Sequence, residues 1–146
     1  MKKTILNQMK LIFPSNSENE SLARICISGF VIKLDITPEE LADIKTAVSE
    51  AVTNCIVHAY KTEPGYITLE AKYRSDGNIY ITITDKGCGI PDIALAMTPF
   101  YTTDKDSERC GMGFSIMKSF MNSLKVKSAP GKGTRVSMRK KLGMIK

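Results

Sequence analysis

The sequence lacks several features that mark whole classes of protein. Its 146 residues include no tryptophan, a single histidine, His58, and no apolar run near the roughly 18 residues of a membrane span. The N-terminus carries two lysines, but Asn7, Gln8 and Lys10 interrupt its apolar residues and no small-residue cleavage site follows, so no signal peptide is predicted. These absences predict one cytoplasmic domain over residues 1–146 that does not associate with membranes.

The cysteines do not form a recognisable metal or disulfide pattern. No CxxC pair is present, and one histidine cannot complete a Cys/His zinc site at a usual spacing. We therefore interpret the four cysteines as small apolar side chains in a reducing compartment: Cys26, Cys55, Cys88 and Cys110.

Negative charge is absent from the end of the chain. From Arg109 onward there are ten Lys or Arg and no acid, within a net charge of +6. Such a block is compatible with a polyphosphate ligand, an acidic protein, nucleic acid or only a solvated face. A nucleic-acid module would need aromatic or arginine-rich base readers, and five arginines without tryptophan argue against direct nucleic-acid binding.

Periodicity predicts an alternation of strands and helices. The first half has a strand over 4–13, a helix with a capping box from Ser17 to Glu20, and a helix from Thr37-Pro38 to about Tyr60. The apolar residues of the first helix are Leu22, Ile25, Cys26, Gly29 and Phe30. They predict its buried face.

The second half reads as two hairpins separated by a helix. Alternating apolar residues on both sides of Asp76-Gly77 predict the first hairpin, and residues 124–128 and 134–138 predict the second. Residues 86–110 read as loop with a helical turn at 92–97, and residues 113–122 as a helix. The order β-α-α-β-β-α-β-β predicts an α+β, two-layer sandwich with a mixed, mostly antiparallel sheet and helices on one face.

Four short motifs carry possible chemistry. Glu50, Asn54 and His58 form an i, i+4, i+8 row beside the apolar stripe of the long helix. The other three motifs are glycine-rich: Asp85 with Gly87 and Gly89 after a strand, Gly111 with Gly113 opening a helix, and Gly131-Lys132-Gly133-Thr134 between strands. A carboxylate beside backbone without side chains can accept a hydrogen bond from the amine of a ligand. Glycines at the start of a helix expose N–H groups that can bind phosphate. Alone, each motif is equally typical of a solvated helix edge, a loop or a turn.

In this order the four motifs resemble the N, G1, G2 and G3 boxes of the gyrase, Hsp90, histidine-kinase and MutL ATPases, over about residues 40–140. Five runs are similar to the anti-sigma F factors of endospore-forming bacteria: SENESLAR (17–24), IKTAVSEAVTNCIVHAY (44–60), GIPDI (89–93), PFYTTD (99–104) and ERCGMGFSIMKSFM (108–121). The general-stress anti-sigma kinases are similar to a lesser degree.

The resemblance implies the Bergerat ATP-binding fold and two linked activities. A homodimer would bind ATP with Mg²⁺, sequester a sigma factor of the sigma F type, and phosphorylate a serine of the cognate anti-anti-sigma protein, leaving ADP. Glu50 would be the general base and Asn54 the magnesium ligand. Asp85 would bind the adenine amine, with Gly87, Gly89 and Thr134 nearby. Residues 97–110 would form a lid whose candidate phosphate contacts are Thr103, Lys105 and Arg109, ending in the Gly111/Gly113 cradle. Arg24 is a candidate partner contact.

Two alternatives belong to other classes. A histidine-kinase catalytic domain would need a separate phosphoacceptor helix, which we do not expect here, and His58 lies inside the N box. A binding module without catalysis would not need the glutamate at position 50.

Overall fold

The computed structural model describes residues 4–97 and 113–143. Over these residues the chain forms a five-stranded sheet covered on one face by helices, as predicted. The strands are β1 (Ile5–Pro14), β2 (Tyr66–Arg74), β3 (Asn78–Asp85), β4 (Ser123–Ala129) and β5 (Gly133–Lys141). The helices are α1 (Asn19–Val31), α2 (Pro38–Asn54), α3 (Ile93–Ala96) and α4 (Gly113–Phe120), and α2 continues as a π-helical segment over Cys55–Ala59.

The sheet is antiparallel at every pairing between described strands, in the order β1-β2-β3-β5-β4. Both predicted hairpins are confirmed: β2 pairs with β3 across Gly77, whose φ is +89°, and Val126 lies opposite Val136 in the β4–β5 pair. Type I′-like turns need positive φ, which glycine adopts without strain. Because β5 pairs antiparallel with β3, the end of β3 lies beside the start of β5. Asp85 therefore lies directly opposite Thr134.

Helix α2 begins where the capping box predicts. The Thr37 hydroxyl accepts a hydrogen bond from the Glu40 N–H, and the Glu40 carboxylate accepts one from the Thr37 N–H. Its predicted apolar stripe is buried against the sheet: Ile44, Ala47, Val48, Ala51, Val52 and Cys55. The cap and the stripe together fix both the start and the rotation of the helix that carries Glu50 and Asn54.

Two predictions for helix α1 are wrong. The Ser17–Glu20 capping box does not form, because the Glu20 carboxylate instead accepts a hydrogen bond from Ser49 on α2 and pairs with Arg24. The buried side chains are Ala23, Ile27 and Val31, whereas Leu22 and Ile25 of the predicted face are exposed. The helix has apolar residues on both sides, so periodicity alone did not identify the one that packs.

Strand β1 joins the sheet within the domain, by pairing with β2 from Ile5 to Pro14. Phe13 is buried in the core, while Ile5, Leu6 and Ile12 are exposed. Within the described residues, 4–97 and 113–143, no helix is long and apolar enough to cross a membrane.

Candidate nucleotide site

The Asp85 carboxylate is buried at the end of β3 and is held by three donors. Its Oδ1 accepts hydrogen bonds from the backbone N–H of Gly87 (2.9 Å) and of Thr134 (3.2 Å). Its Oδ2 lies 3.4 Å from the Cys55 thiol, which donates to it. Burial raises the pKa of Asp85, while the hydrogen bonds from Gly87, Cys55 and Thr134 act in the opposite direction. The result is a carboxylate with a fixed orientation and one oxygen directed away from the backbone.

The Cys55 thiol remains protonated in this setting. Burial and the neighbouring Asp85 carboxylate raise the pKa of the thiol well above its ordinary value. A thiol that keeps its proton is a weak donor, so Cys55 serves Asp85 as a hydrogen-bond partner. No sequence pattern indicates this contact, because the two residues lie thirty positions apart and the cysteine resembles a small apolar core residue.

Glycine is required at three positions around Asp85. A Cβ on Gly87 would lie 2.3 Å from the Ala59 carbonyl oxygen, and one on Gly133 would lie 2.2 Å from the Asp85 carbonyl oxygen. Gly89 has a φ of +77°, and its Cβ would lie 2.0 Å from the Ala129 carbonyl oxygen. Side chains at these positions would force the backbone segments apart. The glycines thus bring the end of the π-helical segment, the loop after β3 and the β4–β5 turn together around the carboxylate.

Asn54 lies against the start of helix α4. A Cβ on Gly113 would come within 2.9 Å of the Asn54 Oδ1 and 3.0 Å of its Nδ2, so a side chain there would require the amide to shift. Glu50 lies one helical turn earlier and is partly buried. Because Asn54 and Cys55 are consecutive, one turn of helix contacts both Gly113 and Asp85. The structure therefore brings together Asn54, the Asp85 motif, Gly113 and Thr134, with Glu50 one turn earlier on α2.

Five further residues were predicted for the site or for a partner contact. Thr103, Lys105, Arg109 and Gly111 lie outside the described residues. Arg24 is on α1, where its guanidinium Nε lies 3.3 Å from Glu20 Oε1 and 43% of its side chain is exposed. Its place on α1 is compatible with a separate contact surface, which stays a prediction.

Ser128 is a site residue that the motifs did not indicate. Its hydroxyl accepts a hydrogen bond from the Ile90 N–H (2.7 Å), donates one to the Gly133 carbonyl (2.9 Å) and lies 2.8 Å from the Thr134 hydroxyl. It ties the loop after β3 to the start of β5. Its place opposite Thr134 in the predicted second hairpin was the one signal available.

A concavity on the outer face of the sheet is a different feature. It has a volume of about 650 Å³ and lies beside the loop at 60–66, on the outer face of the sheet, where Tyr60, Tyr66 and Ile12 contribute to its wall. It shares Ala59 and the segment 86–88 with the surroundings of Asp85. Within the described ranges no group of three or more His, Cys, Asp or Glu side chains could hold a metal ion by itself.

Comparison with known proteins places this geometry in a family. The family described as histidine kinase-, DNA gyrase B-, and HSP90-like ATPase matches residues 39–144. The anti-sigma F factor of Caldanaerobacter subterraneus subsp. tengcongensis is 53% identical over 137 residues, which cover 94% of this chain and 95% of that protein. The chain belongs to the anti-sigma F factor family. Further family members are those of Thermoanaerobacter pseudethanolicus, 53% identical over 96% of this chain and 97% of that protein, and Clostridium acetobutylicum, 48% identical over 95% and 96%.

Solved structures share the fold of this anti-sigma F family member at low sequence identity. The RsbU and RsbW domains of a Mycobacterium tuberculosis protein superpose with a TM-score of 0.68 at 17% identity, covering 93% of this chain and 32% of that one. Full-length ShkA in complex with AMPPNP superposes with a TM-score of 0.59 at 14% identity, and the match covers 90% of this chain and 31% of ShkA. These likenesses show the fold, which is that of ATP-using kinases and ATPases.

Proposed function

We propose that this protein is an anti-sigma factor and a protein serine kinase in one domain. It binds ATP with Mg²⁺, holds a sigma factor of the sigma F type away from RNA polymerase, and phosphorylates a serine of the cognate anti-anti-sigma protein. It acts in the cytoplasm as a homodimer, in contact with proteins and without direct contact to nucleic acid. The observation that carries the proposal is that Asn54 and Cys55, consecutive on one helix, contact Gly113 and Asp85 respectively.

The base of the nucleotide fits the buried carboxylate. Asp85 has its Oδ1 occupied by two backbone N–H groups, which leaves Oδ2 to accept from the exocyclic amine of adenine. A buried polar site of this kind discriminates sharply, because a ligand without the matching donor leaves the acceptor unpaired. Gly89 and Thr134 are the neighbouring residues that keep the backbone close to the base.

The phosphates and the metal ion would bind where Asn54 of α2 faces Gly113 at the start of α4. Asn54 offers a hard amide oxygen, a ligand type that suits Mg²⁺, and Gly113 leaves the space in front of it clear of a side chain. Bound there, Mg²⁺ would neutralise charge on the phosphate oxygens. In this proposal Gly111, Thr103, Lys105 and Arg109 add backbone and side-chain contacts to the phosphates.

The transfer itself needs a base for the serine. The serine oxygen forms a bond to the γ-phosphorus, the bond from that phosphorus to the β,γ-bridging oxygen breaks, and ADP leaves with the electron pair. The serine proton passes to the Glu50 carboxylate. Glu50 is one helical turn from Asn54, so the base and the metal ligand share one side of α2.

A paired assay of two variants tests the proposal. Glu50→Gln keeps the shape of the side chain but cannot accept the proton, so serine phosphorylation should fall about 10²- to 10⁴-fold while ATP binding and sigma capture persist. Asn54→Ala should weaken ATP-Mg²⁺ binding and with it sigma capture. The measurements are phosphoserine formation on the anti-anti-sigma protein and ATP-dependent retention of the sigma factor.

Glu70→Gln is the matched control, because Glu70 is exposed on the outer face of β2 and should behave as wild type in both assays. Near-normal phosphorylation by Glu50→Gln would show that Glu50 is a structural residue of α2. Sigma capture by Asn54→Ala at wild-type ATP dependence would remove the link between the nucleotide and the partner.

A further inference from the structure

The Ser128 hydroxyl has all of its hydrogen-bonding capacity in use. A serine hydroxyl has one proton to donate and two lone pairs that accept. One lone pair accepts from the Ile90 N–H at 2.7 Å, and the proton is donated to the Gly133 carbonyl oxygen at 2.9 Å. The Thr134 hydroxyl lies 2.8 Å away. Either hydroxyl could donate in that contact, and with the Ser128 proton on Gly133 the donor is Thr134.

In this arrangement the only proton of the Thr134 hydroxyl is directed at Ser128. Its oxygen can then serve a ligand only as an acceptor. Asp85, across the strand pair from Thr134, is also an acceptor. Its Oδ1 already receives two N–H groups and its Oδ2 receives the Cys55 thiol, which leaves Oδ2 room for one further donor.

We propose that Ser128 is a specificity-determining residue, which positions the Thr134 hydroxyl so that the base site presents acceptors only. The inference rests on the proposed function, because it concerns the same nucleotide site. A 6-amino purine places an N–H donor at this wall. A 6-oxo purine places a carbonyl oxygen there, opposite Asp85 and an acceptor-only Thr134, and is rejected. With a single accepting position left, Asp85 also cannot form a two-oxygen contact with adjacent N–H donors of a base.

The test compares ATP with ITP, whose base carries oxygen at position 6. Dissociation constants are measured by calorimetry for the full chain without a protein substrate, so that no transfer occurs. Wild type should prefer ATP. In Ser128→Ala the Thr134 proton loses its partner and can turn toward the ligand, so the ATP-to-ITP preference should fall roughly tenfold, mostly through tighter ITP binding.

Two variants control for general damage. Ser128→Thr keeps the hydroxyl and should keep the preference. Ser137→Ala removes a serine hydroxyl from the outer face of β5, the strand that carries Thr134, and should leave the preference unchanged. If Ser128→Ala does not fold, Thr134→Val replaces it, since removal of the hydroxyl that repels the 6-oxo group should also lower the preference.

The outcomes separate the inference from the function on which it rests. An unchanged preference in folded Ser128→Ala, or in Thr134→Val, overturns the role of Ser128 while ATP binding stands. Wild type that binds neither nucleotide, or Asp85→Ala that binds ATP as well as wild type, overturns the proposed base site and the inference with it. A lowered preference in Ser128→Ala with retention in Ser128→Thr supports both.

Discussion

Arg24 and Glu20 form a partly exposed i, i+4 ion pair in the first half of α1. The Arg24 Nη2 also lies 3.3 Å from the Ser21 hydroxyl, and nearly half of the arginine side chain is in contact with solvent. Surface pairs of this kind contribute little to stability. Arg24 can therefore exchange its intramolecular partner for an acidic group on another protein without much loss of folding free energy.

We expect Arg24→Glu to weaken binding of both the sigma factor and its antagonist, because it reverses a charge at the proposed contact. The affinity for ATP should not change, since Arg24 lies on α1 and the nucleotide residues lie elsewhere. Pull-down of each partner, with calorimetry for ATP, measures these effects. Lys33→Glu is the matched control, as it reverses a charge just beyond the end of the same helix. Undiminished capture of both partners would make Arg24 a solubilising charge only.

The residues of the site differ in how far the sequence could identify them. Asp85, Gly87, Gly89 and Thr134 were predicted because their motifs, taken in order, resemble the boxes of a known ATPase family. Cys55 and Ser128 were not, because their roles depend on contacts between segments that only the sheet order brings together. Ser128, for example, contacts Ile90, which lies 38 positions away in the sequence.

Elements were predictable where one signal dominated. The Asp76-Gly77 turn between two alternating apolar runs predicts a single pairing of β2 with β3. The Thr37-Pro38 capping signal predicts a single starting point for α2. Helix α1 was predicted with the wrong buried face, because its exposed apolar residues compete with Ala23, Ile27 and Val31 in the pattern. The π-helical segment at 55–59 was predicted as ordinary α-helix, because the wider π-helical turn has no recognisable sequence pattern here.

The cap of α2 should make stability depend on pH. Burial alone would raise the pKa of Glu40, but hydrogen bonds from Thr37 and Gly143 and the charge of Lys140 outweigh it, so the pKa is lowered from 4.5. A carboxyl whose pKa is lower in the folded state stabilises the fold above its unfolded pKa. That contribution is lost as the pH falls through the folded value.

We therefore expect Glu40→Gln to be less stable than wild type at neutral pH, with a difference that shrinks as the pH falls below about 4.5, the ordinary pKa. The loss of one arm of the capping box should cost roughly 1 kcal/mol at pH 7. Urea unfolding at several pH values measures it. Glu39→Gln, an exposed neighbour in the same first turn, should show a smaller pH-dependent difference. Parallel pH profiles for wild type and Glu40→Gln would contradict the role of the carboxylate.

At the scale of the whole molecule, β1 forms the end of the sheet and gives it an exposed apolar surface. Ile5, Leu6 and Ile12 are 44%, 52% and 57% exposed, which is unusual for three large aliphatic residues on one strand. The same strand buries Phe13 and pairs with β2 along its length, so it also belongs to the fold of the single domain. A strand at the N-terminus could pair within the domain or with another chain, and the structure shows the pairing within the domain.

The proposed homodimer should depend on the exposed side of β1. Deletion of residues 1–13 should give a monomer or an insoluble product, but it removes Phe13 and the pairing with β2 as well. A sharper change is Leu6→Glu with Ile12→Glu, which leaves Phe13 and the backbone pairing in place. Each aliphatic side chain buried in a symmetric contact appears twice, and burial contributes about 1.5–3 kcal/mol per side chain, so the dimer dissociation constant should rise at least about a hundredfold.

Sedimentation over a range of concentrations measures that constant, and the unfolding free energy shows whether each protomer remains folded. Ile32→Glu is the matched control, because Ile32 is 61% exposed just after α1, away from β1, and its replacement should leave the dimer intact. A double variant that dimerises with wild-type affinity would move the interface to another surface. Loss of the dimer in Ile32→Glu alone would identify the apolar side of α1 as that surface.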